Sequence, residues 1–217
     1  MTQFDRAGFS ISRTALFATP VAIAEIRNGD DLVDELRSII LKREAEHPGL
    51  KRSNEGGWHS DTKMLEWGGA AARFVIEKAA KIAQTMSAFG DGQGTAEWTA
   101  CMWANINSAG SLNLPHTHPG ALWSAVFYID VGGDDVSKIG GELILEDPRL
   151  PMANIHNPEF RFIGPDGQPV NWTAEIHPKR GMLVVFPSWM RHSVRTYRGN
   201  SRRISMAMDL SAQMPPA

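Results

Sequence analysis

One cysteine, Cys101, is all the chain contains in 217 residues. An intramolecular disulfide is therefore excluded, and so is a cysteine-rich zinc site. Such cysteine usage suits a reducing compartment, and a cytoplasmic location is expected. No run of about 18 apolar residues occurs, so no helix is expected to span a membrane. The apolar stretch from Leu16 to Ile26 is interrupted by Pro20 and ends in alternation. It reads as a strand rather than a signal peptide. Positive charge is not in excess: 22 Lys and Arg stand against 24 Asp and Glu, a net charge of −2. With no basic stripe, nucleic acid is not an expected partner. Internal repeats and low-complexity tracts are also missing.

Hydrophobic residues make up 42% and charged residues 21%. That composition excludes wholesale disorder. The length allows a sizeable core without staples, and residues 1–217 read as a single domain. Texture changes near residue 95. The region 1–95 holds a strand and two helical patterns. In the first, about Asp31 to Ala45, Leu32, Val33, Leu36, Ile39 and Ile40 form an apolar stripe, with Asp30 as the expected cap. In the second, about Gly69 to Ala88, the stripe is Ala71, Phe74, Val75, Ala79, Ile82 and Met86.

The region 96–217 is strand-rich. Candidate strands are Thr99–Asn107, Leu122–Asp130, Glu142–Glu146, Trp172–His177, Met182–Phe186, His192–Tyr197 and Arg203–Leu210. Short strands at this spacing predict a sandwich or barrel, with the N-terminal helices packed outside. The fold class is thus mainly β with flanking helices. Residues 147–171 carry five prolines and form an insertion. A loop of that length is either a loose excursion or a lid over a pocket.

The most informative stretch is Pro115-His116-Thr117-His118-Pro119-Gly120. Two histidines two residues apart on an extended backbone point to one side. A third, His192, follows the segment Phe186-Pro187-Ser188-Trp189-Met190-Arg191 and opens a strand. In an antiparallel barrel that strand can lie beside the first pair. Three imidazoles can then hold one face of a metal ion, and imidazole suits iron, copper, nickel or zinc. Histidine pairs also arise by chance on exposed strands. His47, His156 and His177 read as loop or surface residues.

From about Asn105 to Leu210 the chain resembles the 2-oxoglutarate/Fe(II)-dependent dioxygenases, particularly their prolyl-hydroxylase-like branch. The matching elements are His116, the distal His192 and the later Arg203-Ile204-Ser205. Phe127-Tyr128-Ile129 and the turn Gly140-Gly141-Glu142-Leu143 also correspond. The run from Ser53 to Asp61 is similar to a stretch in a bacterial subgroup of 2-oxoglutarate oxygenases. The resemblance implies a double-stranded β-helix, the jelly roll shared with cupins. It implies Fe(II) and 2-oxoglutarate as cofactors, and hydroxylation of a small molecule or a peptide.

One position departs from the family pattern: His118 stands where a carboxylate is usual. The resemblance therefore leaves two ligand sets: His116, His118 and His192, or two histidines with a recruited carboxylate such as Glu142. For the far carboxylate of 2-oxoglutarate it implies a buried arginine, because a planar guanidinium binds a carboxylate through two parallel hydrogen bonds. Arg203 is the candidate, with Arg202 the alternative, and Ser205 and Asn105 beside it. Trp58 and His59 are assigned to the substrate side. Two other readings stand: a three-histidine cupin-type dioxygenase needing no 2-oxoglutarate, and a metal-binding jelly-roll module without catalysis. Exposed edge strands leave a homodimer open.

Overall fold

The computed structural model of the chain describes residues 14, 16–89, 92, 96–133, 136–149 and 157–213. Strand β1 (Ala22–Glu25) precedes helix α1 (Asp30–Glu46) and two short strands, β2 (Asn54–Glu55) and β3 (Trp58–His59). Helices α2 (Met64–Trp67) and α3 (Gly69–Thr85) follow. The β-rich part then runs through β4 (Glu97–Asn107), β5 (Leu112–His116), β6 (Trp123–Asp130), a short helix α4 (Val136–Ile139) and β7 (Leu143–Glu146). It ends with β8 (Thr173–Ile176), β9 (Met182–Pro187), β10 (His192–Val194) and β11 (Arg203–Gln213).

The strands form two sheets. A major sheet has the order β1-β9-β6-β11-β4-β3, and a minor sheet the order β2-β5-β10-β7-β8. All strand pairings within them are antiparallel. This is the expected jelly roll. Helices α1 and α3 pack on the outer face of the major sheet, against β6 and β9.

Alternation along the central strands explains the layering. On β11, Ile204, Met206, Met208 and Leu210 join the helix-side core, together with Leu36, Ile40 and Val75. The intervening Arg203, Ser205, Ala207 and Asp209 line a cavity on the other face. On β4, Met102, Ala104 and Ile106 are core, while Cys101, Trp103 and Asn105 line the cavity. Successive side chains of a strand point to opposite faces, so one sheet serves a packed core and a polar chamber at once. A second apolar cluster includes Tyr128, Leu143, Leu145, Val184 and Phe186, and three of these, Tyr128, Leu143 and Phe186, also border the cavity.

The helices lie where the apolar stripes place them, with two corrections. Gly29, not Asp30, is the N-cap of α1, and Asp30 and Asp31 sit in the first turn, where carboxylates favour the helix dipole. On α3 Phe74 is 40% exposed, and Ala72 and Ala83 are buried in the core instead. Small residues let α3 approach the sheet closely, and the stripe turns away from Phe74, whose ring faces Lys78. The strand expected over His192–Tyr197 stops at Val194, and its register with β5 shifts between His192 and Val194.

Within the 147–171 insertion, residues 150–156, including His156, lie outside the described residues. The described remainder borders a second groove with Phe17, Leu122 and Trp189, and none of it lines the chamber. Leu36→Ala should cost about 2–5 kcal/mol of unfolding free energy in a urea titration, as for a fully buried leucine. Phe74→Ala should cost about 0.5 kcal/mol or less, as for an exposed site.

Candidate functional site

Pairing of β10 with β5 sets His192 directly opposite His116. His118 lies two residues beyond β5, on the segment that crosses to the major sheet. Its backbone N–H donates to the Ser188 carbonyl (3.0 Å), next to the turn that precedes His192. One ring nitrogen from each of the three histidines lies within 4.8 Å of the others. His116 and His118 are half-buried and His192 is buried.

The hydrogen bonds fix the tautomers. Nδ1 of His116 meets the Leu114 carbonyl at 2.6 Å, and Nδ1 of His192 meets the Met190 carbonyl at 2.9 Å. Nδ1 of His118 meets Asp209 Oδ2 at 2.9 Å. Carbonyl and carboxylate oxygens only accept, so each Nδ1 donates and each neutral ring keeps a lone pair on Nε2. Yet Nε2 of His118 and Nε2 of His192 are only 3.3 Å apart. Two lone pairs at that distance repel unless a cation sits with them. The donor set thus fits a divalent metal ion bound by three imidazoles.

Burial disfavours the charged form of His192 and His116. Desolvation pulls the pKa of His192 down to about 3, helped by the neighbouring histidines and opposed by the Met190 carbonyl. It also lowers His116, for the same leading reason. Glu142, the alternative carboxylate, is buried elsewhere, 3.9 Å from both His177 Nδ1 and Arg195 Nε. Among the described residues it is not part of the histidine cluster.

From the histidines a chamber of about 400 Å³ extends between the sheets. Arg203, 2% exposed, closes its inner end. Nη1 of Arg203 donates to Asn107 Oδ1 (3.1 Å) and Nη2 to the Gly141 carbonyl (2.9 Å). Its Nε has no partner among the described residues, nor has Asn105 Oδ1 or the Tyr128 hydroxyl. The guanidinium lies over the Tyr128 ring, 5.3 Å from its centre. Burial pushes the Tyr128 phenol up to about 12, against the pull of Arg203, so it stays a hydroxyl donor. Desolvation also lowers Arg203 from its ordinary value, yet arginine keeps its charge. Gly141 is required here: at φ +87°, a Cβ would come within 2.9 Å of Arg203 Nε. Arg202 points outward, exposed, and pairs with Glu44.

Ser205 is set opposite Asn105 across β11 and β4, and both line the chamber. His59 faces Asn105 across β3 and β4 and also lines it. Its ring stacks on Trp103 (5.7 Å), which stacks in turn on His118 (5.6 Å). Trp58 faces the other way. It packs on the helix-side core, and its indole N–H donates to the His47 carbonyl (2.9 Å). Adjacent residues of one strand cannot both face the chamber. Sequence reading gives Tyr128 no role beyond the family resemblance and passes over Trp103 and Asp209. The last carried a signal: a lone carboxylate inside the apolar run Met206-Ala207-Met208-Asp209-Leu210.

A protein-family model described as "Putative 2OG-Fe(II) oxygenase" matches residues 101–209. The chain belongs to this family. Its cofactors are accordingly Fe(II) and 2-oxoglutarate, and it is an oxygenase. Among curated proteins no match is found. A prolyl-4-hydroxylase from Pseudomonas putida is similar in structure, with TM-score 0.59 and 18% identity over 91% of this chain and 95% of that one. A prolyl hydroxylase from Trichoplax adhaerens, in complex with a hypoxia inducible factor oxygen degradation domain peptide fragment, gives TM-score 0.61 and 13% identity. That match covers 88% of this chain and 83% of that one. HygX from Streptomyces hygroscopicus, with nickel and 2-oxoglutarate bound, gives 0.56 and 11% over 89% and 83%. These likenesses show the fold. No helix among the described residues is long and apolar enough to cross a membrane.

The depressed pKa values set a pH dependence for the metal-free protein. Below about pH 6.5 the unfolded chain protonates these histidines, while the folded His192 stays neutral down to about 3. The unfolded state binds more protons in that window, so stability falls as pH falls. The urea midpoint should drop between pH 6.5 and 4.5, and His192→Gln should flatten that slope.

Proposed function

We propose that the protein hydroxylates a small-molecule or peptide substrate, with His116, His118 and His192 holding Fe(II) and Arg203 receiving 2-oxoglutarate. The observation that carries this reading is the pairing of a buried, incompletely satisfied guanidinium with the free Tyr128 hydroxyl in the chamber the histidines open into. Bound iron supplies oxygen activation coupled to decarboxylation of 2-oxoglutarate, which gives succinate, carbon dioxide and one oxygen atom for a substrate C–H bond.

The chain's residues arrange that chemistry. Arg203, Tyr128 and Ser205 form a donor-rich inner end for the far carboxylate of the cosubstrate, and Asn105 beside them can donate through its Nδ2. A charged donor in a dry site binds a carboxylate strongly. Phe186, Val126 and Leu143 wall the chamber with apolar surface. His59, Trp103, Arg52, Thr62 and Thr117 also line the chamber, and we assign them to the substrate. A dioxygenase that needs no 2-oxoglutarate, or a module that only binds metal, has no use for a buried cation beside an unpaired phenol. That argument favours the cosubstrate-dependent reading over both.

The test is an anaerobic titration of 2-oxoglutarate into Fe(II)-loaded protein, followed in the visible spectrum. A metal-to-ligand charge-transfer band is expected; bound iron without a band would overturn the reading. Arg203→Ala should weaken cosubstrate binding more than tenfold and spare metal. Tyr128→Phe removes a hydroxyl that has no partner among the described residues, so stability should not fall. Cosubstrate affinity should still drop roughly ten- to a hundredfold, the size of one lost hydrogen bond to a charged group. His192→Ala should abolish metal binding.

A further inference from the structure

Three neutral imidazoles bring no charge to a divalent ion, and the structure shows where charge can come from. The three histidines differ in what holds Nδ1. His116 and His192 are held by backbone carbonyls, which are neutral, whereas His118 is held by the Asp209 carboxylate at 2.9 Å. Asp209 Oδ1 accepts from Ser124 Oγ at 2.8 Å, and Ser188 Oγ lies 3.0 Å from Ser124 Oγ. Ser124 spends its proton on Asp209, so Ser188 donates to Ser124. Both serines are buried. This chain leaves the carboxylate one orientation, with its free edge on the imidazole.

No Lys or Arg pairs with Asp209 among the described residues; its one ion-pair partner is His118. The strands fix the arrangement. Asp209 lies between Cys101 of β4 and Ser124 of β6, in mid-sheet, on the chamber face of β11. A mid-sheet carboxylate without a cation is costly unless positive charge arrives through its partner.

We propose that Asp209 is a positioning residue that delivers, through His118, the negative charge a three-histidine iron site lacks. The inference rests on the reading that these histidines bind metal. A carboxylate drawing on Nδ1–H gives the ring anionic character and makes Nε2 a stronger donor. His118 and Asp209 together do the work of a directly bound carboxylate. The aspartate has moved one imidazole ring back from the metal and stands on the opposite sheet.

The test is calorimetric titration of Ni(II) into the full-length, metal-free protein, for wild type, Asp209→Asn, His118→Asp and the double variant. Asparagine keeps an acceptor for Nδ1–H and removes the charge. Asp209→Asn should weaken Ni(II) binding about 10- to 100-fold, as for other outer partners of metal ligands. In the His118→Asp background the charge already sits on the metal, so Asp209→Asn should cost nothing or tighten binding by relieving like charges. Equal losses in both backgrounds, or a change under twofold in the wild-type background, would overturn the proposal. Melting of the metal-free Asp209→Asn variant should be no lower than wild type. A merely structural aspartate would lower it. Ser124→Ala, which frees one carboxylate oxygen, should give a smaller loss of Ni(II) affinity, and no loss would count against the relay. Wild type that binds no Ni(II), or binds it as well after His192→Ala, would sink the metal-site reading itself.

Discussion

The site hangs on one strand pairing. His192 opens β10 directly across from His116, the last residue of β5, so the two rings start at a separation that the sheet imposes. Each ring is then turned by a carbonyl two residues back in the chain, Leu114 for one and Met190 for the other. Local backbone supplies both anchors, so no distant element has to be correct for these two rings to point at the same spot. The third ring needs the major sheet. His118 reaches Asp209 across the opening between the sheets, and the site is complete only when the two sheets have closed on each other.

The same closing of the sheets makes the chamber. Its inner end collects groups that proteins rarely leave unsatisfied: a guanidinium nitrogen, an amide oxygen and a phenol. A glycine at φ +87° leaves room for the arginine and offers it a carbonyl. The folded chain carries this strain in advance, which is how a binding site is preorganised for a charged ligand. The larger, helix-side core lies on the far face of the major sheet and bears none of it.

Much of this was legible in the sequence, and the reasons are physical. The three histidines stood out because a His-x-His pair and a strand-opening histidine fall where antiparallel strands meet. The long strands β4, β6 and β11 announced themselves because many residues of alternation accumulate signal. Arg203 was preferred to Arg202 only through the family resemblance; burial and the Glu44 pairing of Arg202 decide between them. Trp58 was misplaced because β3 is two residues long, too short for a period to be read. Tyr128 hid inside the apolar run Val126-Phe127-Tyr128-Ile129, where an aromatic reads as core. Helical spacing alone puts Phe74 in the core, because it cannot say that alanines let the helix sit closer.

On β11, parity carries two kinds of information. Odd positions from Arg203 to Asp209 address the chamber, and even positions from Ile204 to Leu210 address the helices. A deletion of one residue early in this strand would exchange the two sets, burying charge among methionines and presenting methionine to the metal side. The strand can therefore drift in sequence, one face at a time, while its length stays frozen. Chemistry and packing are separately tunable here, yet neither survives a frame error in the other.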